Sequence, residues 1–389
     1  MNDGSVVDCR RVATSGLVLR EPLRRAAFLR NAVVLALAIA GCSDPSGTRP
    51  RDGGVGGADG SAMTGDAGAA IEAPTATWTW VPFADSRCGN GTPAGIGINL
   101  GTRRDAVLFY LQGGGACWDA ATCLLLHLAT HIEDTYGVAS FNADTALLDA
   151  SGVFNRADAT NPFHDASWVF VPYCTGDLHF GHSTRAYSPL EPQRLVHHRG
   201  GDNMQAFLAR LAVTFPAATR IWLTGSSAGG FGATFNFDAV QAAFPRAAVD
   251  LLADCSPFIT PGQGRWPVMR DAWSLTFPAG CADCENGLPP FIDHLATAHR
   301  SSRLGLLAYD QDAVIGTFWG YSAPEMQALT GDLVRTKYAR PAIKAFVVPG
   351  TDHVMLGNYN TLRGPDGKSL RDWVTEWATP GAAAWNGTR

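Results

Sequence analysis

Ile221-Trp222-Leu223-Thr224-Gly225-Ser226-Ser227-Ala228-Gly229-Gly230 is an apolar run that breaks at once into Gly-x-Ser-x-Gly, with Ser227 at its centre. A helix-compatible stretch follows, over residues 231–244. A serine on a sharp strand-to-helix turn is held with its Oγ exposed above a helix N-terminus. The flanking positions must then be glycine, because a Cβ would clash in so tight a turn. Glycine and serine are also ordinary loop residues, so the pattern gains its meaning from what surrounds it.

Near-continuous apolar runs recur at 105–111, 168–173, 220–224, 249–253, 304–309 and 345–348. Runs of this kind predict strands covered on both faces. Helical patterns over 203–215, 230–244 and 325–338 lie between them, and shorter alternating segments at 78–83 and 95–100 predict an antiparallel pair ahead of them. The fold class this predicts is α/β, a mostly parallel sheet with helices on both faces. In such sheets the chemistry sits beyond the carboxyl ends of the strands.

Three such ends carry suitable residues. After the first long strand comes Gln112-Gly113-Gly114-Gly115-Ala116-Cys117, whose bare backbone N–H groups suit an oxyanion hole, with the N–H of Ala228 as a further donor. After the 304–309 run comes Asp310-Gln311-Asp312, and after the last run Pro349-Gly350-Thr351-Asp352-His353. The order serine, acid, histidine is that of α/β-hydrolases. Serine needs a histidine to take its proton, and the histidine needs a carboxylate to fix its tautomer. Asp310 follows its strand directly and is the expected acid, with Asp312 as the alternative. His353 is the expected base, and Asp352 is expected to shape its loop. Asp177, His179 and His182, after the 168–173 run, are expected to line the pocket beside Ser227. A metal reading of these three finds no further ligands at standard spacing. No cofactor is required.

The chain resembles the pectin acetylesterase/Notum family of carboxylesterases in four blocks: residues 111–117, residues 169–174, residues 225–230 with Asn236-Phe237-Asp238, and Leu252-Ala253-Asp254. The resemblance implies an α/β-hydrolase-like fold, a Ser227–Asp310–His353 triad, and Gly114, Gly115 and Ala228 as oxyanion donors. It also implies a Cys117–Cys123 disulfide. Gln112 stands where the family has Glu, Ala116 where it has a large aromatic, and Cys255-Ser256-Pro257 where it has small residues. The function expected is hydrolysis of carboxylic esters, with O-acetyl groups on polysaccharide as the first substrate class. The alternatives are a polyester or lipid acyl esterase on the same fold, or a surface-binding lipoprotein with a retired site.

The rest of the chain sets the compartment. The net charge of −5 and the lack of a dense Lys/Arg block after the N-terminal region exclude nucleic acid as a main partner. Arg20, Arg24, Arg25 and Arg30 precede an apolar run over 31–41, too short to span a bilayer and suited to a secretory signal. Ile39-Ala40-Gly41-Cys42 resembles a bacterial lipobox, which makes Cys42 the expected lipidation site. The long stretch ahead of Arg20 points to a start codon downstream of Met1. The expected organisation is a signal peptide over 1–41, a lipid-anchored flexible linker over 42–75 rich in Gly, Ala, Asp and Ser, and a single catalytic domain over 76–389. The expected location is the cell envelope, lipid-anchored on the extracytoplasmic side with the outer membrane as the first choice, or secreted. Of nine cysteines, seven follow Cys42, so at least one is unpaired if the others form disulfides. The lone CxxC at Cys281 and Cys284 is a weak zinc signal.

Overall fold

In the computed structural model the described residues are 68–149, 152–188, 192–379, 381 and 385–388. The apolar runs become strands β1 (Trp78–Phe83), β2 (Ala94–Asn99), β3 (Arg103–Leu111), β4 (Ala166–Val171), β5 (Ser183–Tyr187), β6 (Arg194–His198), β7 (Arg220–Ser226), β8 (Ala248–Asp254), β9 (Leu304–Tyr309) and β10 (Ile343–Val348). Eight of them form one sheet in the order β1-β2-β4-β3-β7-β8-β9-β10, and β5 pairs with β6 as a separate hairpin. Only β2 runs against its neighbours; β4, β3 and β7 to β10 are parallel.

The helices are α1 (Val138–Asp149), α2 (Gly200–Thr214), α3 (Ala228–Phe235), α4 (Phe237–Ala243), α5 (Arg265–Trp273), α6 (Pro289–Ala298), α7 (Ala313–Trp319), α8 (Ala323–Lys337) and α9 (Leu370–Ala378). Alternation along the strands divides them between two faces. Phe109, Ile221, Leu223, Val249 and Leu251 pack with Met204, Phe207 and Leu211 of α2, Phe231 of α3 and Phe291 of α6. Leu108, Trp222, Leu252, Leu307 and Phe346 point the other way, onto Trp373, Val374 and Trp377 of α9. Trp222 completes that face by donating its indole N–H to the Ala378 carbonyl at 3.1 Å.

The single helix expected over 230–244 is two, α3 and α4, meeting at Asn236. The Asn236 amide donates to the carbonyls of Gly232 and His179, each at 2.9 Å, so its side chain competes with helix continuation. The expected domain boundary at 76 falls inside docked chain. Ile71 is buried and donates its N–H to Thr214 Oγ1 at 3.0 Å, and Thr75 bridges to Leu100. The expected signal peptide and Cys42 lie outside the described residues.

The β7–α3 turn explains its own glycines. A Cβ on Gly225 would stand 2.4 Å from the Gly229 backbone, and one on Gly229 would stand 1.9 Å from the Leu111 carbonyl oxygen. Alanine is the better helix former, so on propensity alone Gly229→Ala would stabilise α3. The contact predicts the opposite: a loss of about 3 kcal/mol from overpacking. A thermal melt of Gly229→Ala against wild type checks the sign.

Candidate active site

Ser227 is the one residue of 221–230 that is not buried. It caps α3 with φ 56° and ψ −125°, a backbone conformation rare for a residue with a side chain. The turn is held on every side. Ser227 N–H donates to the Asp254 carbonyl at 2.8 Å, and its own carbonyl accepts from Ser256 Oγ at 2.7 Å. The Ser227 Oγ itself has no hydrogen-bond partner among the described residues.

His353 lies on the loop after β10. Its Nδ1 is 2.7 Å from Asp312 Oδ2, and its Nε2 is buried with no partner. Asp312 is 1 % exposed and caps α7, where its Oδ1 accepts the N–H groups of Val314 and Ile315 at 3.0 Å each. These bonds leave Oδ2 for the imidazole and fix which way the carboxylate faces. The carboxylate that meets His353 is therefore Asp312, not the expected Asp310. Asp310 Oδ1 accepts the Gly350 N–H at 2.9 Å and its Oδ2 accepts from Gln327 Nε2 at 2.8 Å. Asp310 thus pins the start of the histidine loop. The signal for Asp312 was its place ahead of the short apolar stretch 313–319, a helix the sequence reading did not include.

The glycine run after β3 lies against the nucleophile turn. A Cβ on Gly113 would stand 2.4 Å from the Ser226 carbonyl oxygen and 3.0 Å from Ser227 Cβ. Gly114 and Gly115 adopt φ 158° and 79°. Thr130 N–H donates to the Gly114 carbonyl at 2.8 Å, while the N–H groups of Gly114, Gly115 and Ala228 have no backbone partner among the described residues. Gln112 locks the start of this loop: its Nε2 donates to Asp144 Oδ2 at 2.8 Å and its Oε1 accepts the Tyr173 N–H at 3.1 Å. A glutamate at 112 would face the Asp144 carboxylate, so the amide suits this partner.

Of Asp177, His179 and His182, expected beside Ser227, His179 braces the start of the glycine loop, while the side chains of Asp177 and His182 bond to other neighbours. His179 is 3 % exposed, and burial lowers its pKa to about 4, so it is neutral at pH 7. Its Nε2 is 2.8 Å from the Gln112 carbonyl oxygen, which requires the Nε2–H tautomer. Buried Asp177 accepts from Thr175 Oγ1 and from the N–H groups of His179 and Gly200. His182 pairs with Asp202 at 2.8 Å.

Cys117 and Cys123 form a disulfide beside the glycine loop, Cys88 pairs with Cys174, and Cys281 pairs with Cys284. Among the described residues Cys255 is the free cysteine. Its sulfur, the Asp312 carboxylate and the His353 ring lie within 4.8 Å of one another. Burial pushes the thiol pKa well up, so it sits there protonated, as a neutral neighbour of the acid–histidine pair.

The family model described as Pectinacetylesterase matches residues 74–266. That range holds Ser227 and the glycine loop and ends before Asp312 and His353. Palmitoleoyl-protein carboxylesterase NOTUM of Schmidtea mediterranea is 27% identical over 160 residues, 40% of this chain and 28% of that protein. The human protein of the same name is 26% identical over 196 residues, 46% of this chain and 35% of that protein. The matched stretch thus spans about a third of these relatives' own length. The solved structure of the Wnt deacylase Notum from Drosophila superposes with a TM-score of 0.60 at 18% identity, covering 80% of this chain and 95% of that one. It shows that the fold is shared.

The pairing of Asp312 with His353 has a direct spectroscopic consequence. A histidine Nδ1 proton held by a buried carboxylate resonates far downfield in the proton NMR spectrum. That signal is expected to persist in Asp310→Asn and to vanish in Asp312→Ala, which also loses the α7 cap at a cost of about 1–2 kcal/mol.

Proposed function

The chain belongs to the pectin acetylesterase/Notum family of carboxylesterases, and from that premise we propose that it hydrolyses carboxylic esters through an acyl-enzyme on Ser227. One observation carries the reading: a carboxylate-paired histidine with an unpartnered Nε2 lies at the same sheet edge as a serine on a strained turn. Ser227 Oγ attacks the ester carbonyl while His353 Nε2 takes its proton. Asp312 holds the imidazole in the Nδ1–H tautomer and stabilises the imidazolium. The carbonyl oxygen becomes an oxyanion received by the N–H groups of Gly114, Gly115 and Ala228. The tetrahedral adduct collapses, the C–O bond to the alcohol breaks, and Nε2–H protonates the departing oxygen. Water, deprotonated by His353, then attacks the acyl-enzyme and releases the acid and Ser227.

The favoured substrate is an O-acetylated polysaccharide. Phe318 of α7 supports a short acyl group, since a Cβ on Gly115 would stand 3.2 Å from its ring. A second reading, a lipid or polyester acyl esterase, is favoured by Leu125 and Leu126. They lie just past the Cys117–Cys123 loop and are 55% and 62% exposed. Three disulfides suit an oxidising, extracytoplasmic compartment, and lipidation at Cys42 would hold the enzyme to a membrane there.

Ser227→Ala is expected to lower kcat on p-nitrophenyl acetate by about 10⁴-fold or more, and Asp312→Asn by about 10⁴-fold. Asp310→Asn is expected to lose under about tenfold, through the Gly350 contact alone. A fluorophosphonate should label Ser227 once per chain. Undiminished turnover in Ser227→Ala removes the mechanism. Acetate release from acetylated pectin or xylan, set against hydrolysis of medium-chain esters, decides between the two substrate classes.

A further inference from the structure

The carboxyl end of β8 lies between the strand that presents Ser227 and the turn that presents His353. Asp254 ends that strand, is fully buried, and takes no part in the triad. Its backbone carbonyl accepts the Ser227 N–H at 2.8 Å. Its side chain reaches the other way. Oδ1 accepts the Met355 N–H at 2.8 Å, and Oδ2 accepts the Leu356 N–H at 3.2 Å and the Ser226 hydroxyl at 2.7 Å. Tyr110 of β3 adds a fourth link by donating to Ser226 Oγ at 3.2 Å. The neighbouring Cys255 sulfur receives the Val354 N–H. The three N–H groups that immediately follow His353 therefore all end on the side chains of residues 254 and 255.

The turn needs such holding. Val354 adopts φ 65°, a conformation that a β-branched residue keeps only when its surroundings over-determine it. We propose that Asp254, seconded by Cys255, is a positioning residue: it fastens the His353 turn to the Ser227 turn and so fixes the approach of Nε2 to the nucleophile. The proposal rests on the Ser227–His353 mechanism above. It explains why a carboxylate stands here. Three donors converge on two acceptor oxygens, whereas an amide brings one acceptor oxygen and two donor hydrogens.

Asp254→Asn keeps the volume and breaks at least one of the N–H bonds to the turn. Because a misplacement near 1 Å costs about a hundredfold in rate, kcat on p-nitrophenyl acetate is expected to fall by about ten- to a hundredfold. KM should move by less than about twofold, because the side chain is fully buried beneath the two turns. Fluorophosphonate labelling should slow in parallel and still reach one per chain, and the downfield His353 Nδ1 proton should broaden or shift. Cys255→Ala removes the weaker sulfur acceptor and is expected to lower kcat by roughly two- to fivefold with KM unchanged; it carries the test if Asp254→Asn does not fold. A lowered melting temperature with wild-type kcat per labelled serine would mean a purely structural role and would overturn the proposal. His353→Ala separates the two readings. An inactive His353→Ala beside a fully active Asp254→Asn overturns the positioning role alone, whereas a fully active His353→Ala overturns the triad and the positioning role together.

Discussion

The contact on which the site depends is between two stretches of bare backbone, Gly229 at the start of α3 and the Leu111 carbonyl at the end of β3. A Cβ there would come within 1.9 Å of that oxygen. This closeness lets the loop after β3 lie beside the turn after β7, with Gly113 packed against Ser226 and Ser227. Parallel pairing of β3 with β7, in register from Ala106↔Arg220 to Leu111↔Gly225, brings the two ends level. The glycines are therefore conditions for two strand ends to be used as one site, and Ser227 pays for the same geometry with its strained φ.

Around that contact the supports are polar and buried, which is costly unless each group is satisfied. Asp254 shows the cost. Burial raises its carboxyl pKa above the ordinary range, although donors from Ser226, Met355 and Leu356 pull it back. A group with a raised folded value keeps its proton in the folded chain after the unfolded chain has lost it. Between those two values stability therefore falls as pH rises. At neutral pH a carboxylate at 254 is a burden to folding, and that is the pattern expected where position serves chemistry rather than stability. His179 runs the other way. Its pKa, lowered by burial to about 4, makes the folded chain resist protonation, so its contribution to stability is lost as pH falls below the unfolded value of 6.5.

The legible part of this chain was what periodicity and glycine can express. The buried strand 304–309 and the half-buried strand 78–83 appear with the expected bounds, because continuous or alternating apolar runs leave few other conformations. Ser227, His353 and the glycine loop fall where the strand ends put them. What failed was side-chain direction inside a short turn. Asp310 and Asp312 are two residues apart, both after β9, and strand-end logic favours the first. The choice is made by α7, a helix of seven residues whose N-cap requirement turns Asp312 inward, while Asp310 is drawn off to Gly350 and Gln327. His179 bears on the same point, since its ring bonds the Gln112 carbonyl. A polar residue after a strand can face the substrate or brace the neighbouring loop, and only the position of Gln112 distinguishes the two.

The same division separates mechanism from substrate. The groups proposed to act on the ester sit on strand ends and helix caps, whose geometry is set by the sheet. The groups proposed to select the ester sit on connections: Leu125 and Leu126 beyond the disulfide loop, Phe318 of α7 beside Gly115, and Asp144 of α1, which faces Gln112. Gln112 and Asp144 make the point physically. A glutamate at 112 would repel the Asp144 carboxylate, so the amide is what lets α1 hold the start of the loop after β3. A change of that kind leaves Ser227 and His353 untouched and alters the wall beside them. On the proposed mechanism, esters of different size would be sorted by such a wall on one catalytic frame, and acyl preference is expected to follow α1, α7 and the disulfide loop rather than the sheet.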